Sequence, residues 1–350
     1  MNDKQKIKLF EDVFAPKENE KILFLVDLPH NNYRDSVEWK QRRKMAEEWK
    51  NLFEEMGKEK HFSVSLDSYP ATGLNNAPLP AHIIEKIKDF HLVIAMTEFS
   101  ATASLASLCN KKDTITRCAS MPGVEKRMEK TSFQADYIRV KKYAMKLKKL
   151  LDDATSARIA FSTKDTLNID LRNRVAGADT GECQKKGQTI NFPSGEGFIA
   201  PYEGFVDEID LFGESKTEGV LPLYIDDEII RCTVKYNRID NVITQSSKAN
   251  KFNDFLSENK TRRNIAELGI GCNPNAVVIG NILEDEKVPG LHIAYGMSSH
   301  IGGKIKSDLH QDICFPKGAL VEAESLDLII KKGEIIRVIF NSRLRFELLE

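Results

Sequence analysis

No apolar run in this 350-residue chain approaches the roughly 20 residues that cross a bilayer. The amino terminus, MNDKQKIKLFED, is polar and charged rather than apolar, which fits neither a secretory signal nor an anchor. A cytoplasmic protein without a membrane partner is therefore expected. Charge of one sign is lacking too: 51 Lys plus Arg against 52 Asp plus Glu leave a formal charge of -1, so no whole-chain field draws the protein to nucleic acid. Six cysteines (Cys109, Cys118, Cys183, Cys232, Cys272, Cys314) stand without a CxxC pair, which argues against a disulfide framework and against a cysteine zinc site. Any metal here needs oxygen and imidazole ligands. Neither GxGxxG nor a P-loop pattern occurs, GES at 213–215 lacks the context of a nucleophile elbow, and no solenoid repeat or low-complexity segment is present. Nucleotide-binding and serine-hydrolase readings find no support.

What the chain does contain is a change of texture near its middle. The first half alternates short apolar runs with amphipathic stretches: ILFLVDLP at 22–29, a helical pattern over 35–57, FSVSLDSYP, a short helix near 81–89, HLVIAMT at 91–97, the small-residue helix ATASLASLC, TITRCAS, and a basic helix from about Phe133 to Leu151. Asp35 or Ser36 is placed to cap the helix over 35–57 with Glu38 answering, and Gly57 to end it. Strand and helix in turn imply right-handed crossovers and a doubly wound parallel sheet. The polar, small-residue run DDATSAR at 152–158 then reads as a boundary, giving an α/β domain over 1–153 and a second domain over 154–350. In the latter, short β-rich runs (ARIAFST, TLNIDL, GVLPLYID, EIIRCTVKY, RIDNVITQ, ALVEAES, LDLII, EIIRVIF) separated by Gly, Asn and Pro predict an α+β domain with a largely antiparallel sheet.

Four stretches of the second half carry the chemistry. Three of seven histidines, His292, His300 and His310, fall within 19 residues, and imidazole is both the commonest side-chain metal ligand and a base tunable near neutrality. In SDLHQDI, His310 and Asp312 are two apart, so a strand projects both from one face; a solvent-facing edge is the plainer alternative. In ILEDEKVPGLHIAYG, the acids Glu284, Asp285 and Glu286 precede a Val-Pro-Gly turn and His292 lies inside an apolar run, as a ligand or as a hydrogen-bonded core histidine. NIAELGIGCNPNA sets Glu267 among apolar residues, where a carboxylate needs a metal or an arginine such as Arg262 or Arg263. NFPSGEGFIAP holds Glu196 between glycines that allow close backbone approach, or that merely form a turn.

In this order the four stretches resemble the aminopeptidase T and aminopeptidase S group of dinuclear metallopeptidases, over about 191–312, with a weaker likeness in LVIAMTEFSATASLASLCNKKDTITRCASMPGV of the first half. That resemblance implies a homodimeric hydrolase releasing amino-terminal residues from peptides through a hydroxide activated by two divalent ions (zinc, cobalt or manganese). Carried over residue by residue, it makes Glu196 the bridging carboxylate, His292 and Asp312 ligands of one ion, Glu267 and His310 ligands of the other, and Glu286 the general base.

This chain departs from the aminopeptidase pattern in two places. DEKVPGLH holds one residue more between acid and histidine, and Ser299 stands seven residues after His292 where the pattern has an oxyanion-stabilising tyrosine, leaving Ser299, His300 or Tyr295 to replace it. The iron-dependent 2,5-dihydroxypyridine dioxygenases resemble the chain as well. There a histidine in the place of Glu267 joins the HxD pair to hold one iron; the glutamate here favours the hydrolase, while His292, His310 and Asp312 still offer a two-histidine, one-carboxylate triad. A non-haem iron ring-cleaving dioxygenase acting on a small molecule is the alternative to the peptidase.

Overall fold

The computed structural model describes residues 1–30, 33–331 and 333–350. From the amino terminus the chain forms α1 (Asp3–Phe14), β1 (Lys21–Leu28), α2 (Val37–Lys60), β2 (Ser63–Pro70), α3 (Ala81–Ile87), β3 (Leu92–Ala95), α4 (Thr102–Cys109), β4 (Arg117–Ser120) and α5 (Tyr137–Asp153). There follow β5 (Ala154–Phe161), β6 (Thr166–Asp170), β7 (Gly177–Asp179), β8 (Thr189–Asn191), β9 (Glu196–Ile199), α6 (Val206–Phe212), β10 (Glu218–Ile225), β11 (Glu228–Lys235) and β12 (Arg238–Val242). The last elements are α7 (Ser247–Glu258), β13 (Ile265–Gly271), α8 (Ile282–Asp285), β14 (Gly290–Gly296), β15 (His310–Cys314), β16 (Ala323–Ile330), β17 (Ile335–Phe340) and β18 (Arg343–Leu344).

Two compact units result. The first comprises 1–141, 179–194 and 274–285; the second comprises 142–178, 195–273 and 286–350. This division differs from the contiguous one expected at 153/154. DDATSAR is not a linker, because β5 begins at Ala154, directly after the last residue of α5. Two later segments return to the first unit, one of them to add β8 alongside β4.

In the first unit a parallel sheet runs in the order β2-β1-β3-β4-β8. Six consecutive positions of β1 are buried, as a strand covered on both faces requires. Ser36 caps α2 by accepting the Trp39 N–H at 3.0 Å, with no reciprocal bond from Glu38. The helix runs through Gly57 and ends at His61 in the left-handed region. Gly57 is needed for a different reason: a Cβ there would lie 2.6 Å from the Phe62 carbonyl oxygen as the chain turns back over the helix. Helix α1 had no counterpart in the reading of the sequence, although Asn2 and Gln5 form a capping box at its start.

The second unit contains an eight-stranded sheet, β12-β11-β10-β6-β5-β16-β17-β18, and a five-stranded one, β15-β14-β13-β9-β7. Pairing is antiparallel throughout the larger sheet and from β15 to β9 in the smaller. One hydrophobic core takes Ile159, Leu167, Leu221 and Leu328 from the larger sheet and Ile199, Leu268, Ile270, Leu291 and Ile293 from the smaller. Strand periodicity then sends Glu196, Glu267, His292, His310 and Asp312 to the opposite face of the smaller sheet.

Candidate metal centre

Strand register assembles the centre. Glu267 of β13 pairs with Ala294 of β14, which pairs with Asp312 of β15; one row along, Gly269 pairs with His292; beyond that, Gly271 pairs with Glu196 of β9. His310 stands opposite Gly296. Between the functional side chains the same face carries Gly269, Gly271, Ala294 and Gly296, and these small residues leave room. A Cβ on Gly269 would fall 1.9 Å from His292 Nε2, so the imidazole lies across that glycine and reaches toward the acids beyond it.

The ligand atoms form two groupings, Glu196–Glu267–His292 and Glu267–His310–Asp312, within each of which they lie no more than 4.8 Å apart. Glu267 belongs to both: Oε1 is 3.4 Å from His292 Nε2 and Oε2 is 3.2 Å from His310 Nε2. His292 Nε2 is also 3.4 Å from Glu196 Oε2, and His310 Nε2 is 3.5 Å from Asp312 Oδ1. All five residues are thus brought together, with Glu267 common to both groupings and His292 grouped with Glu196.

Buried polar atoms in native proteins are nearly always satisfied. Here Glu196 Oε2 and His292 Nε2 are buried, face each other and have no hydrogen-bond partner among the described residues. His310 Nδ1 lies 2.6 Å from the Met297 carbonyl oxygen, which only accepts; Nδ1 therefore carries a proton, and Nε2 is the nitrogen turned toward Glu267 and Asp312. Oxygen and imidazole atoms of this kind fit a divalent cation.

The charges are strongly coupled. Burial pushes the Glu267 carboxyl up, but the adjacent imidazoles of His292 and His310 outweigh it and hold the group well below the usual range. Burial lowers the His292 pKa, and Glu267 and Glu196 reverse this, raising it to about 9. Burial, reinforced by the charges of Glu196 and Asp312 against the opposing Lys287, raises Glu286 to about 8. Glu286 belongs to neither ligand grouping.

Lys287 was missed. Its side chain is 0% exposed, and its ammonium bonds Glu196 Oε1 at 2.6 Å and contacts Glu286 Oε1 at 2.8 Å. The available signal was a lysine placed directly after three acids and ahead of an apolar strand. The acidic trio itself divides. Glu284 accepts from Thr131 and from the Val277 N–H, and Asp285 from the Ile279 N–H, all within the first unit, while Glu286 alone joins the centre. The arginine alternatives for Glu267 are engaged elsewhere, Arg262 with Asp308 and Glu258, and Arg263 with Asn253. Of the three stand-ins for the tyrosine, Tyr295 faces the core against Phe252, at 5.9 Å between rings, and is turned away from the centre. His300 packs edge-on to His310 at 4.6 Å, and Ser299 sits in the turn whose N–H bonds the Ile305 carbonyl.

Two solved structures share this fold along nearly the whole chain. The 2,5-dihydroxypyridine dioxygenase from Pseudomonas putida KT2440 superposes with a TM-score of 0.70 at 16% identity, covering 99% of this chain and 98% of that one. AmpT from Thermus thermophilus superposes with a TM-score of 0.60 at 12% identity, covering 98% of each. No protein-family model and no curated protein matches the sequence. The likeness establishes the fold, one on which an oxygenase and an aminopeptidase are both built.

Proposed function

We propose that the chain is a metal-dependent hydrolase that releases amino-terminal residues from peptides. The observation that supports this best is the position of Glu267, whose two carboxylate oxygens each face a different histidine. Each grouping then has two carboxylates and one imidazole, a donor set suited to zinc, cobalt or manganese. The iron-oxygenase alternative requires two histidines and one carboxylate on a single ion, and neither grouping contains both His292 and His310.

When bound, a divalent ion supplies Lewis acidity and lowers the pKa of water. The rest falls to the protein. Glu196, Glu267 and His292 would hold an ion in one grouping and Glu267, His310 and Asp312 in the other, and the sheet beneath them fixes their spacing. Glu286 is the proton carrier: Lys287 occupies its Oε1, which leaves Oε2 to take a proton from the attacking water and pass it to the leaving amine.

The test pairs two assays on the purified protein, aminoacyl-arylamide hydrolysis after loading with zinc, cobalt or manganese, and oxygen uptake with dihydroxylated heteroaromatics after anaerobic iron loading. Aminoacyl turnover is expected. Glu286→Gln should lower it by about 10²- to 10⁴-fold with metal content unchanged, whereas Glu267→Ala should lose both ion and turnover. Oxygen consumption by the iron-loaded protein together with inertness toward every aminoacyl substrate overturns the hydrolase reading.

A further inference from the structure

We propose that Glu203, which belongs to neither ligand grouping, is a positioning residue of the metal centre: it pins the Met297–Ser298 peptide, whose carbonyl orients His310. This rests on the metal-centre reading above and adds to it a residue outside the ligand set. The Glu203 side chain is 2% exposed, and a carboxylate buried to that degree needs donors. They come from separate stretches of the second unit. Ser298 Oγ donates to Oε1, the Lys304 backbone N–H to Oε2 at 2.7 Å, Asn264 Nδ2 to Oε1 at 3.2 Å, and Arg174 Nη2 to Oε2 at 3.4 Å. The arginine is not committed to Glu203, because it lies nearer Glu208, at 2.6 and 3.0 Å. The close donors belong to the connection between β14 and β15.

Ser298 is the hub of that connection. Its carbonyl accepts the Ile301 and Gly303 N–H groups at 3.0 Å, its hydroxyl accepts the Ile305 N–H at 3.2 Å, and its own N–H donates to the Ile305 carbonyl at 3.0 Å. A Cβ on Gly303 would lie 2.3 Å from Ser298 Oγ and 3.0 Å from Glu203 Oε1, so the loop closes directly onto the carboxylate. The Ser298 N–H and the Met297 carbonyl share one planar peptide, and fixing one fixes the direction of the other. That carbonyl meets His310 Nδ1 at 2.6 Å, which turns Nε2 toward Glu267 and Asp312. The preceding peptide is held from the same carboxylate. Asn264 Nδ2 donates to the Gly296 carbonyl at 3.0 Å as well as to Glu203, and Gly296 is the register partner of His310. Removing the Glu203 charge frees this segment without stranding a buried cation, since Arg174 keeps Glu208.

The experiment reads the ring and the ion separately, on the full-length protein. Without metal, the wild type is expected to show the His310 Nδ1 proton as a protected imidazole resonance in nitrogen-edited NMR. In Glu203→Gln that proton should exchange about tenfold faster or more, with the His292 resonances unchanged. Zinc affinity, measured by titration calorimetry, should fall by about 10- to 100-fold, as when the partner of a ligating histidine is lost. Asp327→Asn breaks another buried ion pair of the second unit, on β16 of the larger sheet, and should lower stability while leaving ring and zinc as in the wild type. Ser298→Ala, which removes the hydroxyl alone, is read in the same way should Glu203→Gln not fold. Unchanged His310 exchange or unchanged zinc affinity in the folded variant overturns the proposal, as does an equal loss in Asp327→Asn. A wild type that binds no zinc, cobalt or manganese removes the metal centre instead, and His310 exchange in the metal-free protein then decides whether Glu203 holds the ring.

Discussion

Gly269 shows how much of the centre depends on a side chain that is not there. His292 reaches the acids by crossing this glycine, and a methyl group 1.9 Å from Nε2 would drive the ring out of its place. Gly269→Ala is accordingly expected to weaken metal binding by about 10- to 100-fold, the range seen when ligand orientation is disturbed. Overpacking should destabilise the fold by roughly 1–3 kcal/mol. Titration calorimetry and denaturant unfolding measure the two effects, and unchanged metal affinity would mean that the ring does not need this passage. In the sequence Gly269 is merely one of two glycines after Glu267. Its meaning depends on the antiparallel register that places His292 opposite it.

At the scale of elements, the amino-terminal part of the first unit is gathered by one arginine. Arg117, on β4, pairs with both oxygens of Glu20 at 2.8 Å and donates to the carbonyls of Cys183 at 2.8 Å and of Phe14, the last residue of α1, at 3.1 Å. Arg117→Met leaves Glu20 with the Lys17 N–H but no cation, and takes the donor from these carbonyls; a loss of about 3–5 kcal/mol is expected at neutral pH. The loss is pH-dependent in a definite direction. Burial raises the Glu20 pKa, but the Arg117 bonds outweigh this and bring it below its ordinary 4.5. A depressed carboxyl contributes stability that is complete above the unfolded-state value and is lost as pH falls through the folded one. The gap between wild type and Arg117→Met should therefore narrow below about pH 4.5. Denaturant melts across that range check this, and a constant gap would show that the pair does not carry the effect. The strands β1, β2 and β4 were legible in the sequence, because hydrophobic period and turn residues are local properties. The discontinuous units were not, since β8 joins its sheet through a pairing between residues 118–120 and 189–191.

For the whole molecule, a candidate centre made only of second-unit residues predicts that stability there is metal-linked. An ion at about 100 times its Kd adds roughly 2.7 kcal/mol to the state that binds it. Zinc, cobalt or manganese should therefore raise the thermal midpoint, and chelation should reverse the rise. Hydrogen exchange should slow in peptides covering 265–271, 290–296 and 310–314. If neither the midpoint nor exchange responds, the acids and histidines form a metal-free network.

The sequence by itself determined the alternation of strand and helix in the first half, the antiparallel texture of the second, and the residue types of the centre. These follow from local periodicity and from the cost of burying a carboxylate such as Glu267 or an imidazole such as His292. Tertiary structure decided what the spacing left open: Glu267 within reach of both His292 and His310, Tyr295 in the core, Glu284 and Asp285 in the other unit, and Lys287 among the acids. Each of these depends on which strands lie side by side and in what register. That is settled by packing between segments tens to hundreds of residues apart, and a linear pattern of side chains does not contain it.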